Sequence, residues 1–207
     1  MRSLGIDNIK AFAKLYPEIN EISTFIETGT YKGGTIFPMS KHYRELHTVE
    51  VCKKAHEFCK DIATRRKIKN IHFYLGDSLV ILPKIIQTAS PGPRIYFLDG
   101  HVTDNQSGFT GKGAVDVPLL QELKAINDQD SCGSVIIIDD IRLLGSKDSI
   151  LCANADWSGI TMDKILGQFS AGRIKGQFKD PSYREKPQKP TDKEHENDRY
   201  IIVLNPR

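Results

Sequence analysis

Six carboxylates stand where a strand gives way to a turn or helix: Glu27, Glu50, Asp77, Asp99, Asp139 and Asp140. One such residue would mean little, because aspartate caps helices routinely. Five segments ending the same way point to one shared site. The most specific stretch is Phe25-Ile-Glu-Thr-Gly-Thr-Tyr-Lys-Gly-Gly-Thr35. Its apolar entry, its carboxylate and its glycines at 29, 33 and 34 read as a strand, a tight turn and the start of a helix. Glycine lets the backbone turn sharply and lets a ligand approach it. Free N–H groups at the helix start can hold a carboxylate or phosphate. Glu27 would repel a pyrophosphate and attract an ammonium group, so a ligand carrying an amine is favoured. Glu50 lies about 20 residues beyond Gly29, where βαβ nucleotide folds place a carboxylate on ribose hydroxyls.

The elements that must position these groups follow from periodicity. Residues 4–17 read as a leading helix that covers one face of a sheet, with a lid or a dimer contact as the other readings. Strand one is 22–27, followed by a helix near 33–42. Strand two is 45–50 and its helix 52–65. Strand three is 71–75 and its helix 78–87, with Ser78 as its cap. Strand four is 94–99, and the helix 117–127 buries Leu119, Leu120, Leu123 and Ile126. Strand five, 134–140, is continuously β-branched, which suits a central parallel strand covered on both faces. A helix over 160–169 and strands over 173–178 and 199–204 complete the chain. The glycine-rich stretch 102–114 reads as a substrate lid, and 180–198 as a solvated loop, both on composition alone. His47 and His56 read as packing or surface residues.

Alternating strands and helices imply a doubly wound α/β domain with ligands at the carboxyl ends of the strands. The 207 residues suffice for one domain with a sizeable core. Twenty-nine basic and 26 acidic residues leave a net charge of +3, too balanced to suggest a nucleic-acid partner. No apolar run has the ~20 residues of a membrane helix, and Met1–Asp7 carries no apolar signal core. Four cysteines without a C-x-x-C pair fit reduced thiols in a cytoplasmic protein. A homo-oligomer is left open.

The pattern resembles the class I S-adenosylmethionine-dependent methyltransferases over about 22–142, with a closing antiparallel hairpin. That implies a mostly parallel, seven-stranded, Rossmann-like sheet. Glu27-x-Gly29-x-x-x-Gly33 resembles that family's first motif, with Tyr31 in place of the usual middle glycine. By this resemblance Glu27 orients the methionine ammonium, directly or through water. Gly29, Thr30, Tyr31 and Gly33 line the methionine part, Glu50 holds the ribose, and Asp77 faces the adenine amino group with Ser78 beside it. Leu98-Asp-Gly-His101 and Ile138-Asp-Asp140 resemble the magnesium-dependent O-methyltransferases of the macrocin type, which act on sugar hydroxyls. This implies a divalent site at Asp99, Asp139 and Asp140, since clustered carboxylates repel one another unless a cation neutralises them. Asp99 would also border the cofactor.

Methyl transfer needs an aligned nucleophile and a group to take its proton. Asp99 and His101 are the catalytic candidates, with His101 as base for a hydroxyl of a small sugar-like or natural-product-like acceptor. Two other classes stay open: a cofactor-binding module without catalysis, and an NAD-dependent oxidoreductase. Glu27 and the missing G-x-G count against the second.

Overall fold

The structure is a computed structural model that describes residues 3–102, 108–147, 154–181 and 198–207. Seven strands form one mixed sheet: β1 (Thr24–Thr28), β2 (Glu45–Glu50), β3 (Ile71–Leu75), β4 (Arg94–Leu98), β5 (Val135–Ile138), β6 (Ile174–Lys179) and β7 (Tyr200–Leu204). Their order is β3-β2-β1-β4-β5-β7-β6. The first five pair in parallel, and β7 runs antiparallel to both β5 and β6. The strand order reverses between β1 and β4, the switch point where such sheets bind ligands.

Each face of the sheet carries its own core. Ile136 and Ile138 of β5 pack towards α4 (Ser78–Thr88), α5 (Leu119–Gln129) and α6 (Met162–Leu166). Val135 and Ile137, the alternating residues, pack towards α1 (Ile6–Ala13), α2 (Ile36–Met39) and α3 (Lys53–Arg65). Side chains alternate across a strand, and a β-branched run therefore fills both cores. Burying each such side chain contributes roughly 1.5–3 kcal/mol.

The expected elements are present with shifted ends. The helix expected over 33–42 is one turn, Ile36–Met39. Its start is delayed because Gly33 has a left-handed φ of 78°. The leading helix stops at Ala13, and Pro17 opens a separate 3₁₀ turn, Pro17–Glu21. The helix expected over 160–169 spans Met162–Leu166. His47 is buried between Glu45 and Tyr74 (3.0 and 3.1 Å), and buried His56 packs edge-on to Phe73. Cys52, Cys59 and Cys132 are free thiols. Residues 103–107 of the expected lid, most of the expected loop 180–198, and Cys152 lie outside the described residues. Among the described residues no helix is long and apolar enough to cross a membrane.

Candidate active site

The strand ends meet around one cleft whose empty space, part of it open to solvent, is about 950 Å³. Its floor is set by Gly29, at φ 85°. A Cβ there would run into the Asp99 carbonyl oxygen, so glycine is what lets the first turn lie against the end of β4. Glu50 closes one side. Its two carboxylate oxygens accept from the backbone N–H groups of Tyr31 (2.7 Å) and Cys52 (2.8 Å). Two neighbouring loops are thereby tied to the end of β2. Burial raises the Glu50 pKa, and the N–H donors oppose that rise. Asp77, not the expected Ser78, caps α4 by accepting from Leu79 N–H (2.8 Å), and its other oxygen accepts from Ala114 N–H (2.6 Å). The strap that carries Phe109, Thr110 and Gly111 joins Glu50 and Asp77 in lining the cleft.

His101, Asp99 and Gly100 form the opposite wall. His101 Nε2 stands 3.1 Å from Asp140 Oδ2, and its Nδ1 stands 3.6 Å from Asp99 Oδ1. The Trp157 ring meets the imidazole edge-on at 5.0 Å between centroids. Burial raises the Asp99 pKa well above the ordinary range, and the charges of Asp139 and Asp140 add to the effect. Burial would raise Asp140 too, but His101 and Arg142 outweigh it and hold that carboxyl below its usual range. Asp140 adopts a left-handed φ of 57°, and Arg142 bridges it to Asp198.

The sequence-predicted residues divide by place. Gly29, Tyr31, Glu50, Asp77, Ser78, Asp99 and His101 line the cleft. Glu27, Thr30 and Gly33 do not; they lie beneath it. The Thr48 hydroxyl donates to Glu27 Oε2 (2.6 Å) and also meets the Thr30 hydroxyl. Burial pushes Glu27 up to about 8. Glu27 is thus held by Thr48 and is not among the residues that line the cleft.

The metal set also differs from expectation. Ligand atoms of Asp99, His101 and Asp140 lie within 4.8 Å of one another. Asp139 is drawn away, because its Oδ1 accepts from Arg199 Nε at 3.0 Å. Burial pushes Asp139 up to about 6 against the opposing charge of Arg199. Buried Asp99 Oδ1 and Asp140 Oδ2 accept no aligned hydrogen bond among the described residues. Two such carboxylate oxygens with an imidazole nitrogen suit a divalent cation.

Sequence reading missed four contributors. Glu122 is buried on α5 near Ser78 and Thr28, and burial pushes it up to about 7. A signal existed: Glu122 falls on the same helical face as Leu119, Leu123 and Ile126. Phe109, Trp157 and Arg199 sit in loops or at a strand edge, where no periodicity marks them.

No protein-family model matches the chain, and no curated protein matches it in sequence. Solved structures do. An O-methyltransferase from Bacillus cereus in complex with S-adenosylhomocysteine superposes with a TM-score of 0.59 at 13% identity, covering 99% of this chain and 83% of that one. TomG from Streptomyces achromogenes is an O-methyltransferase of tomaymycin synthesis, solved with S-adenosylmethionine. It gives 0.58 at 13% identity, covering 100% and 82%. An rRNA methylase from Streptococcus thermophilus gives 0.50 at 13%, covering 95% and 96%. The chain has the Rossmann-like methyltransferase fold. In this methyltransferase fold the strand-end cleft between β1 and β4 is the switch-point position for a ligand.

Proposed function

We propose that the chain is an S-adenosylmethionine-dependent O-methyltransferase, acting in the cytoplasm on a hydroxyl of a small sugar-like or natural-product-like molecule with a divalent cation such as magnesium. One observation carries this reading. A single cleft has Glu50 and Asp77 on one side, suited to an adenosine, and His101 between Asp99 and Asp140 on the other. Glu50 would hold the ribose hydroxyls on lone pairs not used by Tyr31 and Cys52. Asp77 and Ser78 would border the adenine. Gly29 and Tyr31 would lie along the methionine part, with Thr30, Gly33 and Glu27 supporting the turn from below. S-adenosylmethionine supplies an activated methyl group. The chain's task is then to align the acceptor oxygen and remove its proton. His101 would take that proton, with Asp140, 3.1 Å from its Nε2, stabilising the imidazolium that forms. Asp99 and Asp140 would hold the cation, whose charge makes a bound hydroxyl easier to deprotonate. Asp139 supports them through its pair with Arg199.

Calorimetry should find micromolar binding of S-adenosylmethionine, roughly −8 kcal/mol. Glu50→Ala should abolish most of it, since the variant loses the ribose partner and releases Tyr31 and Cys52. Binding of NAD with no response to S-adenosylmethionine would overturn the reading. The cation makes a separate prediction. Magnesium or manganese should raise the thermal midpoint of cofactor-free protein, because a ligand that binds only the folded state stabilises it. Asp140→Asn should blunt that rise more than Asp139→Asn. A midpoint indifferent to magnesium, manganese and chelator would remove the cation from the proposal and leave the cofactor in place.

A further inference from the structure

Charge is distributed unevenly along this chain. Residues 29–69 contain ten lysines and arginines against four acids, while the whole chain is only +3. The remainder is therefore net negative, and the near-balance of the whole chain hides the contrast. All ten cations are exposed. Of the four acids, Glu50 is buried in the cleft wall and Glu45 pairs with His47. Only Glu57 and Asp61 face solvent beside the cations, each paired within α3, to Lys53 and Arg65.

The placement gives the charge a direction. α3 starts directly after Val51, which lines the cleft, and its 13 residues extend about 20 Å. Lys32 and Lys54 stand at the cleft end, with their Nζ atoms 5.1 and 4.5 Å from the centroid of Phe109. Lys60 follows along the helix, and Arg66 and Lys69 stand at the far end. There Asn70 ties the β3 start to the carbonyls of Ser40 and Tyr43 (2.9 and 2.8 Å), which brings Lys41 and Arg44 to the same end. At the cleft end the cations meet aromatic rings. Phe109 lies edge-on to Phe58 and Tyr31, at 5.3 and 6.5 Å, and Tyr31 is 36% exposed.

We propose that this face docks a single-stranded nucleic acid, laid along α3 with one end at the aromatic mouth of the cleft. A solubilising surface would intersperse both signs evenly, whereas here ten exposed cations stand with only two solvent-facing acids, Glu57 and Asp61. A small diphosphate would engage two or three charges at one point, not a band this long. A positively charged track leading to aromatic rings is the pattern that binds single strands, the cations meeting phosphates and the rings meeting bases. The inference adds a macromolecular partner to the methyltransferase reading and does not depend on the cation or on which hydroxyl is methylated.

Fluorescence anisotropy of the full chain with mixed-sequence RNA and DNA of about 16 nucleotides tests it. Binding is expected at about 50 mM salt, weakening towards about 200 mM with a log–log slope steeper than about −2, as three or more phosphate contacts require. Lys60→Glu/Arg66→Glu/Lys69→Glu should weaken binding at least about tenfold and flatten the slope by about 2, three phosphates at about 0.7 each. The triple glutamine variant should fall between, and it serves if charge reversal unfolds the chain. Cofactor affinity, measured separately, should not move, so failure here and failure of the methyltransferase reading are distinguishable. No oligonucleotide binding at low salt, an unchanged affinity in the variants, or equal binding to heparin or phosphatidylserine vesicles would overturn the proposal.

Discussion

Replacing His101 with alanine should lower turnover by about 10²–10⁴-fold, the range for loss of a positioned acid or base, while S-adenosylmethionine affinity barely changes. The imidazole lies on the cleft wall opposite Glu50 and Asp77, which is why catalysis and cofactor binding should separate. Its Nε2 is 3.1 Å from Asp140 Oδ2, so the imidazolium formed on proton uptake stands beside an anion that also pairs with Arg142. Full activity in the variant, with an acceptor that the wild type uses, would make His101 structural. The cation response of cofactor-free His101→Ala then separates two roles. A magnesium-dependent rise in thermal midpoint that survives marks His101 as base, and one that disappears marks it as ligand.

Glu27→Gln should make the protein more stable at pH 8 and leave it nearly unchanged at pH 5. Burial raises this carboxyl from an ordinary 4.5 to about 8, the Thr48 hydroxyl opposing and the charge of Glu50 adding. Between those values the folded chain holds a proton that the unfolded chain has lost. The group's contribution is therefore complete below about pH 4.5 and is lost as pH rises through about 8. Each pH unit in that window costs up to about 1.4 kcal/mol, a few kcal/mol in all. Glutamine keeps an oxygen for the Thr48 hydroxyl and has no proton to lose. Glu122 and Asp139, raised to about 7 and about 6, act in the same sense, so the wild type retains part of its slope from them. Only the difference between wild type and variant isolates Glu27. Urea unfolding at pH 5, 6.5 and 8 measures it, and parallel pH profiles would show that Glu27 ionises normally.

Much of this architecture was legible because strands repeat with a period of two and helices with 3.6. The β-branched run 134–140 marked the central strand, and the carboxylates ending each strand marked the ligand side. What failed to show was orientation. Asp139 and Asp140 look equivalent as letters, yet leaving a strand sends one to Arg199 and the other to His101. Glu27 carries the expected motif but lies under the turn, held by Thr48, a residue of the neighbouring strand. Loop residues such as Phe109 and Trp157 take their positions from tertiary contacts and leave no periodic trace. The whole-chain charge averaged away a local asymmetry over 29–69, and only the placement of α3 beside the cleft gave it a direction.

The sheet order imposes a timetable on the site. β7 slots between β5 and β6, and the residues just before it, Asp198 and Arg199, pair with Arg142 and Asp139. Arg199 and Asp139 are 60 residues apart in the chain. During synthesis the parallel half, β1 to β5, can assemble first, as amino-terminal units do. It would then expose the edge of β5, an apolar and β-branched strand of the kind prone to pair with another chain. Joining distant segments is slow because loop closure must precede the contacts that reward it. Asp139, next to the acidic wall of the cleft, would therefore gain its arginine partner in the same late step that covers that edge.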